Sequence, residues 1–474
     1  MSKVVMTALI VLAFIGCTIG KDYRRPEVES PKTWRFDEKD AREISNTTWW
    51  EQFNDPVLND LIRTALRENK DLLTASARVE EFLGRYGATR ADLFPQAGAG
   101  ASAGRQRVTE EGYAPVYFPP TYNTFQGALS ASWEIDVWGK LRRATEAARA
   151  DLLSTEEARR AVVLTLVTAV ANGYVSLLNL DQQLEIVRQT VKTREESLKL
   201  FELRFSGGLI SEVELSQVKS DYEQTRATIP QIEKSIAQQE NALNALVGRN
   251  PGPIRRGRSM DQLVLPAVPA GLPSDLLERR PDIRQAEQGL IAANARIAVA
   301  KAQYFPSISL TGLFGVSSED LSNLFHGAAK IWNYTGNVTV PIFTAGRISG
   351  QVQAAEAVRR QALYGYQQAV QTAFREVEDA LVDQRKSREK FEYESRQIEA
   401  LRTYCQLAGM RYENGYSSYL EVLDANRNLF AAELSHIQTK GNLFQAVVNL
   451  YKAMGGGWIV EAEKVEAKTA PSSR

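Results

Sequence analysis

The sequence predicts a mixed α and β membrane protein built on a two-fold internal repeat, with four membrane-crossing strands per chain. Three observations carry this. The 474-residue chain says the same thing twice: Arg204-Phe205-Ser206-Gly207-Gly208 through Glu214 recurs as Arg411-Tyr412-Glu413-Asn414-Gly415 through Glu421. Ala91 to Pro95 likewise recurs as Ala302 to Pro306. Stretches of about ten residues in each half alternate apolar and polar side chains, the period of a strand. Each pair of such stretches leads into a long helical pattern free of proline.

The N-terminus reads as an export signal over 1–16. Lys3 supplies the positive end, and the apolar run Val4 to Ile15 is too short to span a bilayer as a helix. Gly16 precedes Cys17, which fits a lipoprotein cleavage site with Cys17 as the acylated first residue. Thr18 follows, where an Asp tends to retain lipoproteins at the inner membrane, so delivery to the Gram-negative outer membrane is expected. Residues 17–55 then form the lipid anchor and an extended arm punctuated by proline and tryptophan.

The first repeat is expected over 56–248. It opens with a helix from Pro56, capped by Asp55, to about Asp92. A β-hairpin follows over 97–137. In its second strand Phe125, Gly127, Leu129, Ala131, Trp133, Ile135 and Val137 face one way. Gln126, Ser130, Ser132, Glu134 and Asp136 face the other. The long helix from Gly139 to about Arg204 would reach ~100 Å at 1.5 Å per residue. It ends at Gly207-Gly208, and a capping box of Ser211 with Glu214 starts the return helix. Heptad-spaced Leu215, Val218, Tyr222, Thr225 and Ile229 mark that helix as a coiled-coil seam to Leu246.

Residues 249–273 form a Pro-rich linker, and the second repeat is expected over 274–455. Its hairpin spans 307–343, with Ile308, Leu310, Gly312 and Phe314 on one face and Ser307, Ser309 and Thr311 on the other. The long helix runs from Gly346 to about Arg411 and turns at Gly415. Ser418 with Glu421 forms a second expected capping box, and Val422, Ala425 and Leu429 begin a seam. Residues 456–474 read as a polar tail. No stretch reaches eighteen apolar residues, so any membrane crossing falls to the strands. Four strands are too few to close a barrel, and an open sheet in lipid leaves edge groups unpaired, so several chains must share one barrel.

Composition narrows the function classes. Formal net charge is zero, with 57 basic and 57 acidic residues, so bulk charge does not attract nucleic acid. His326 and His436 have no cysteine or second histidine at ligand spacing, and no metal site or other cofactor is expected. No phosphate loop or catalytic triad pattern is present, so no enzyme is expected. Arg279-Arg280-Pro281-Asp282 is accounted for as a helix start.

Several motifs resemble the TolC-type outer-membrane efflux proteins, in their lipoprotein branch. They are Asp22-Tyr23-Arg24-Arg25-Pro26, Trp49-Trp50-Glu51-Gln52-Phe53-Asn54-Asp55-Pro56, Leu272 through Ile283, Phe305 through Gly312 and Tyr419 through Arg427. The similarity covers the mature chain. It implies a homotrimer with a twelve-stranded barrel, a periplasmic helical tube and an equatorial belt. The implied function is a passive exit duct from an inner-membrane RND-type pump, joined by a periplasmic adaptor. The exit duct of a type I protein secretion system is the alternative. In related lipoproteins the positions of Leu420 and Asp424 form apolar and acidic constriction rings at the periplasmic tip, and Arg427 is a candidate partner that holds Asp424. Val213 and Gln217 are the first-repeat counterparts. By residue type alone, Leu420 also suits seam packing and Asp424 suits a solvated first-turn acid.

Overall fold

The computed structural model describes residues 18–27, 34, 48–109, 120–265 and 276–456. The signal, Cys17 and all but the first of the tail positions lie outside them. Two compact units divide the chain, and each takes matching pieces of both repeats.

The first unit holds residues 1–27, 78–156 and 285–367. Its centre is one antiparallel sheet of four strands in chain order: β1 Gln96–Arg107, β2 Thr121–Ile135, β3 Ser307–Ser318 and β4 Lys330–Thr339. The two hairpins of the repeat are joined by β2 and β3, which pair from Phe125 with Ser318 to Ile135 with Ile308. Register fixes the faces, since paired residues point the same way. One face carries the row Ala99, Leu129, Phe314 and Trp332, and beside it Ala97, Ala131, Gly312 and Tyr334. Leu129, Phe314, Trp332 and Tyr334 are each at least 60% exposed in the single chain, so the apolar face has no core of its own to cover. From Phe125 to Ile135 that face runs ~33 Å along the strand, or ~25 Å in height at a ~40° tilt, the depth of a hydrocarbon layer. The opposite face carries Gly98, Ser102, Ser130, Ser132, Ser309, Thr311, Asn333 and Asn337. Among its paired residues the charged group is Glu134, which Lys140 holds at 3.0 Å.

The arm docks in this unit. Ile19 N–H donates to the Trp138 carbonyl at 3.1 Å, and Thr18 packs against Gly139, at the junction of β2 with the following helix. Asp22 pairs with Arg143 at 2.5 Å. Arg25 binds the buried Glu287 through two nitrogens, each at 2.6 Å, and the Tyr23 hydroxyl donates to the same carboxylate at 3.1 Å.

The helices are α1 Pro56–Glu68, α2 Lys70–Ala91, α3 Lys140–Ser206, α4 Glu212–Arg226, α5 Thr228–Leu246, α6 Leu276–Arg279, α7 Pro281–Ala302, α8 Arg347–Glu413 and α9 Tyr419–Ala453. The single helix expected from Pro56 to Asp92 is interrupted at Asn69. Its extended backbone lets the side chain cap α2 through Leu72 N–H while donating to the Leu246 carbonyl. The return helix of the first repeat also breaks, at Ala227, because Pro230 has no N–H to give and its ring crowds the carbonyl four residues back. The second repeat has no proline there, and α9 runs unbroken for 35 residues.

The second unit holds residues 28–77, 157–284 and 368–474. Its main core packs α1 and the Trp49-Trp50-Phe53 turn against α3, α8 and α9, with Val167, Val170, Tyr174, Leu177, Val377, Val447 and Leu450 fully enclosed. An 18-residue window of α3 has a mean hydropathy of 1.9, long and apolar enough for a bilayer by composition, and 61% of that window is buried. Much of that window's apolar surface is covered by this core. Asp55 is 0% exposed: it caps α1 at Val57 N–H and accepts from the Tyr174 hydroxyl and Arg258 N–H, both at 2.9 Å. Arg280 has a structural role. Its guanidinium donates to Asp282, Glu376 and the Ala453 carbonyl at 2.6, 2.7 and 2.8 Å, closing the end of α9.

Candidate functional site

The candidate site lies in the second unit, at the turns α3–α4 and α8–α9. Gly208 and Gly415 take left-handed backbone, with φ of +72° and +76°. Each closes a Schellman turn: Leu209 N–H reaches the Arg204 carbonyl, and Tyr416 N–H the Arg411 carbonyl. The Ser211–Glu214 capping box forms in both directions. Its expected twin does not. The Ser418 side chain caps nothing, and Glu421 turns instead to Arg411 at 3.3 Å, an ion pair the first repeat cannot make with Glu214 engaged in its cap.

Phe201, Val218, Tyr419 and Leu423 bury a small core between the two hairpins of helices. Phe201 and Tyr419 meet at 4.3 Å between ring centres, and Tyr412 lies edge-on to Tyr419 at 5.2 Å. Burial, then the nearby Asp221 carboxylate, push the Tyr419 phenol up to about 12.

Beside this core sits a buried ion cluster. Asp221 on α4 accepts from Arg194 of α3 at 3.1 Å and from Arg427 of α9 at 2.8 Å, with 5% of its side chain exposed. Arg194 also donates to the Asp221 carbonyl and to Thr225 Oγ1, and lies 5.2 Å from the Phe430 ring. Burial lowers the Arg194 guanidinium from its ordinary range, against the pull of Asp221. Asp221, Arg194 and Phe430 line a cavity of about 180 Å³ with Tyr419, Asn426 and Glu433.

The expected partnership of Arg427 with Asp424 is therefore corrected. The two are three apart on one helix, but Asp221 is buried and Asp424 is exposed, and an enclosed carboxylate gains more from a cation than a hydrated one. Asp424 accepts instead from Asn428 at 3.1 Å. Leu420, Asp424 and Arg427 do share one shallow concavity with Tyr404, Ser418 and Glu421. Leu420 is 56% exposed and Val213 66%, so neither serves as seam packing within the single chain; Gln217 is half-buried. His436 stacks on Phe391 at 4.3 Å, and His326 precedes a short turn after β3.

Asp221 and Arg194 carry no motif and escape sequence reasoning. The signal was present in the spacing: Val218, Asp221 and Thr225 are the buried residues of α4, so the helix turns Asp221 inward where Tyr222 was expected.

Comparison with known proteins agrees with this architecture. The sequence profile of the family described as "Outer membrane efflux protein" matches residues 61–249 and 272–456. The probable efflux pump outer membrane protein TtgC of Pseudomonas putida is 36% identical over 467 residues, covering 96% of each chain. The cation efflux system protein CusC of Escherichia coli K12 is 35% identical, covering 94% of this chain and 98% of its own. The open-state structure of the MtrE outer membrane channel of Neisseria gonorrhoeae superposes with a TM-score of 0.84 at 30% identity, covering 93% of this chain and 99% of that one. An exposed apolar sheet face backed by a polar one, two long helical hairpins and full-length similarity on this scale make the chain a member of the outer membrane efflux protein family, an efflux channel of the outer membrane.

Proposed function

We propose that three copies of this chain close one twelve-stranded barrel and form the exit duct of a tripartite efflux system, fed by an inner-membrane RND-type pump through a periplasmic adaptor. The observation that carries this reading is the pair of free sheet edges. Among the described residues β1 and β4 pair only inward, while their outer face is apolar. Edge groups left open in hydrocarbon cost several kcal/mol each, and a neighbouring copy pairing β4 with β1 removes that cost. The polar face, with Glu134 neutralised by Lys140, suits a passive corridor that discriminates little among small molecules. The efflux descriptions of its relatives favour this reading over protein secretion.

Cys17 is the proposed lipid site. Docking of Thr18 and Ile19 at the β2–α3 junction supports it, since that level is the membrane surface of the proposed barrel. Leu420 and Asp424 are the proposed constriction, with Val213 and Gln217 flanking it. Repeated threefold, the exposed Leu420 supplies an apolar ring and Asp424 an acidic one that disfavours anions. The adaptor opens it by binding the splayed tip better than the closed one.

Single-channel conductance of the purified protein in a planar bilayer tests this. A small wild-type conductance that rises in Leu420→Ala/Asp424→Ala is expected. Equal conductances would move the constriction elsewhere, and no conductance in either would remove the duct.

A further inference from the structure

The two hairpins of the sheet are built to one register. Gln96 pairs with Ser132, and their images in the second repeat, Ser307 and Thr339, pair likewise. By the same correspondence β3 repeats β1, and β2 repeats as β4 with its continuation to Ile342. The chain also shows how one repeat joins the other: β2 pairs with β3, setting Ala131 opposite Gly312 and Trp133 opposite Leu310. Where these strands meet the helices, the turn Gln303 to Pro306 shares a concavity of about 340 Å³ with Glu134, Trp138 and Lys140. Trp138 lies 5.0 Å from the Phe305 ring and donates to the Pro306 carbonyl at 2.8 Å.

The matching surfaces at the two outer edges are uncovered in the single chain. Phe94, the image of Phe305, is 56% exposed. Ile342 and Phe343, which precede α8 as Ile135 and Asp136 precede α3, are 96% and 89% exposed. Two charges here are out of place on their own helices. Lys140 at the start of α3 is held by Glu134, but its image Arg347 at the start of α8 has Pro341 in the place of that acid. Arg347 lines the same concavity, whose acids, Glu134 and Asp136, are taken by Lys140 and Arg142. Asp92, the image of Gln303, follows the last residue of α2. A cation in a first helical turn and an anion just past a helix end both oppose the helix dipole. Among the described residues neither Arg347 nor Asp92 has an ion-pair partner, and both are exposed.

We propose that Arg347 of one copy pairs with Asp92 of the adjoining copy, and that the seam between copies takes the register in which β2 meets β3. This rests on the shared-barrel reading above. Carried across the seam, that register sets Val338 opposite Ala101 of the adjoining copy and Val340 opposite its Ala99, with the apolar faces kept on one side. It brings Arg347 to the turn that carries Asp92, as Lys140 is brought to the turn that carries Gln303, and lays Ile342 and Phe343 beside Phe94. The pair relieves both misplaced charges at once. A slip of two residues along the seam keeps the faces aligned but parts the two charges by ~7 Å, so the pair selects one register.

The test uses the full-length acylated chain purified in detergent, with the trimer followed by native mass spectrometry and thermal dissociation. Arg347→Asp and Asp92→Arg each set like charges against one another, so each should cut the trimer yield several-fold or lower its dissociation temperature. Both positions are exposed, so the fold of the single chain is spared. The exchange Arg347→Asp/Asp92→Arg should recover most of the loss. Single variants that assemble like wild type, or a double variant as impaired as the worse single one, overturn the pair. The register is read separately in a Cys405→Ser background. Val338→Cys/Ala101→Cys should cross-link copies on oxidation, since directly opposite residues lie within disulfide reach, whereas Val338→Cys/Ala103→Cys should not. Cross-linking by the second pair in place of the first overturns the register. A wild type that shows no trimer mass overturns the shared barrel itself, a result read before any variant is made.

Discussion

Arg427 on α9 donates to Asp221 on α4 at 2.8 Å, and Arg194 of α3 holds the other oxygen of the same carboxylate. One buried acid thus ties α4 to α3 across the first turn and to α9 after the second. Any splaying of α9 from α4 has to break the Arg427 bond, whereas Arg194 can keep Asp221 paired. The cluster is built to open on one side.

Asp221→Asn should be the more damaging change at this cluster. Arg194, with 11% of its side chain exposed, would lose its charge partner, and breaking a buried pair costs about 3–5 kcal/mol. Arg427, 46% exposed, loses less, so Arg427→Ala is expected to cost about 1 kcal/mol. Denaturant unfolding of the two variants checks the order. Similar losses would mean that Arg194 finds another partner.

Leu420→Ala should separate stability from conductance. The side chain is 56% exposed, so the single chain loses within about 0.5 kcal/mol. In the assembled channel the resting conductance should rise, and Asp424→Asn should weaken any preference for cations. Reversal potentials in a salt gradient measure the second effect.

Tyr419 predicts an alkaline limit. Its folded phenol titrates at about 12 against about 10 when unfolded, so the neutral form is favoured in the fold. That contribution is complete below pH 10 and is lost as pH rises from 10 through 12, on the order of 2 kcal/mol. Tyr451 rises to about 12 as well, through burial alone. Stability of Tyr419→Phe relative to wild type should therefore be level below pH 10 and improve above it. A difference flat across pH 9 to 12 would remove Tyr419 from the effect.

Gly315 should tolerate no side chain. A Cβ there would lie 2.2 Å from the Gly127 carbonyl oxygen and 2.7 Å from Ala128 Cα, within the strand pairing that joins the two repeats. Gly312, three positions earlier on β3, has nothing nearer than 3.9 Å. Gly315→Ala is expected to cut the yield of assembled protein several-fold while Gly312→Ala leaves it near wild type, as read by membrane extraction and gel mobility.

Glu287→Gln should release the arm. It accepts from Tyr23 and twice from Arg25, the polar lock on residues next to the proposed lipid site. Amide exchange over residues 18–25 should quicken, with the sheet unaffected. Unchanged protection would assign the docking to Ile19 and Asp22 instead.

Local chemistry made much of this legible in the sequence. The repeat, the alternation in β2 and β3, the proline-free stretches of α3 and α8 and the turns at Gly208 and Gly415 follow from short-range rules, and the structure bears each out. The break before Pro230 was legible too, since proline acts within one helical turn, although the heptad pattern read straight through it. Tertiary structure decided what depends on neighbours distant in sequence. It chose Asp221 over Asp424 as the partner of Arg427, turned Asp221 inward in place of Tyr222, and drew Glu421 to Arg411 instead of its cap. Spacing says which residues share a face of one helix. Which carboxylate is shut away from water, and therefore most in need of a cation, is set only when the helices of both repeats pack together.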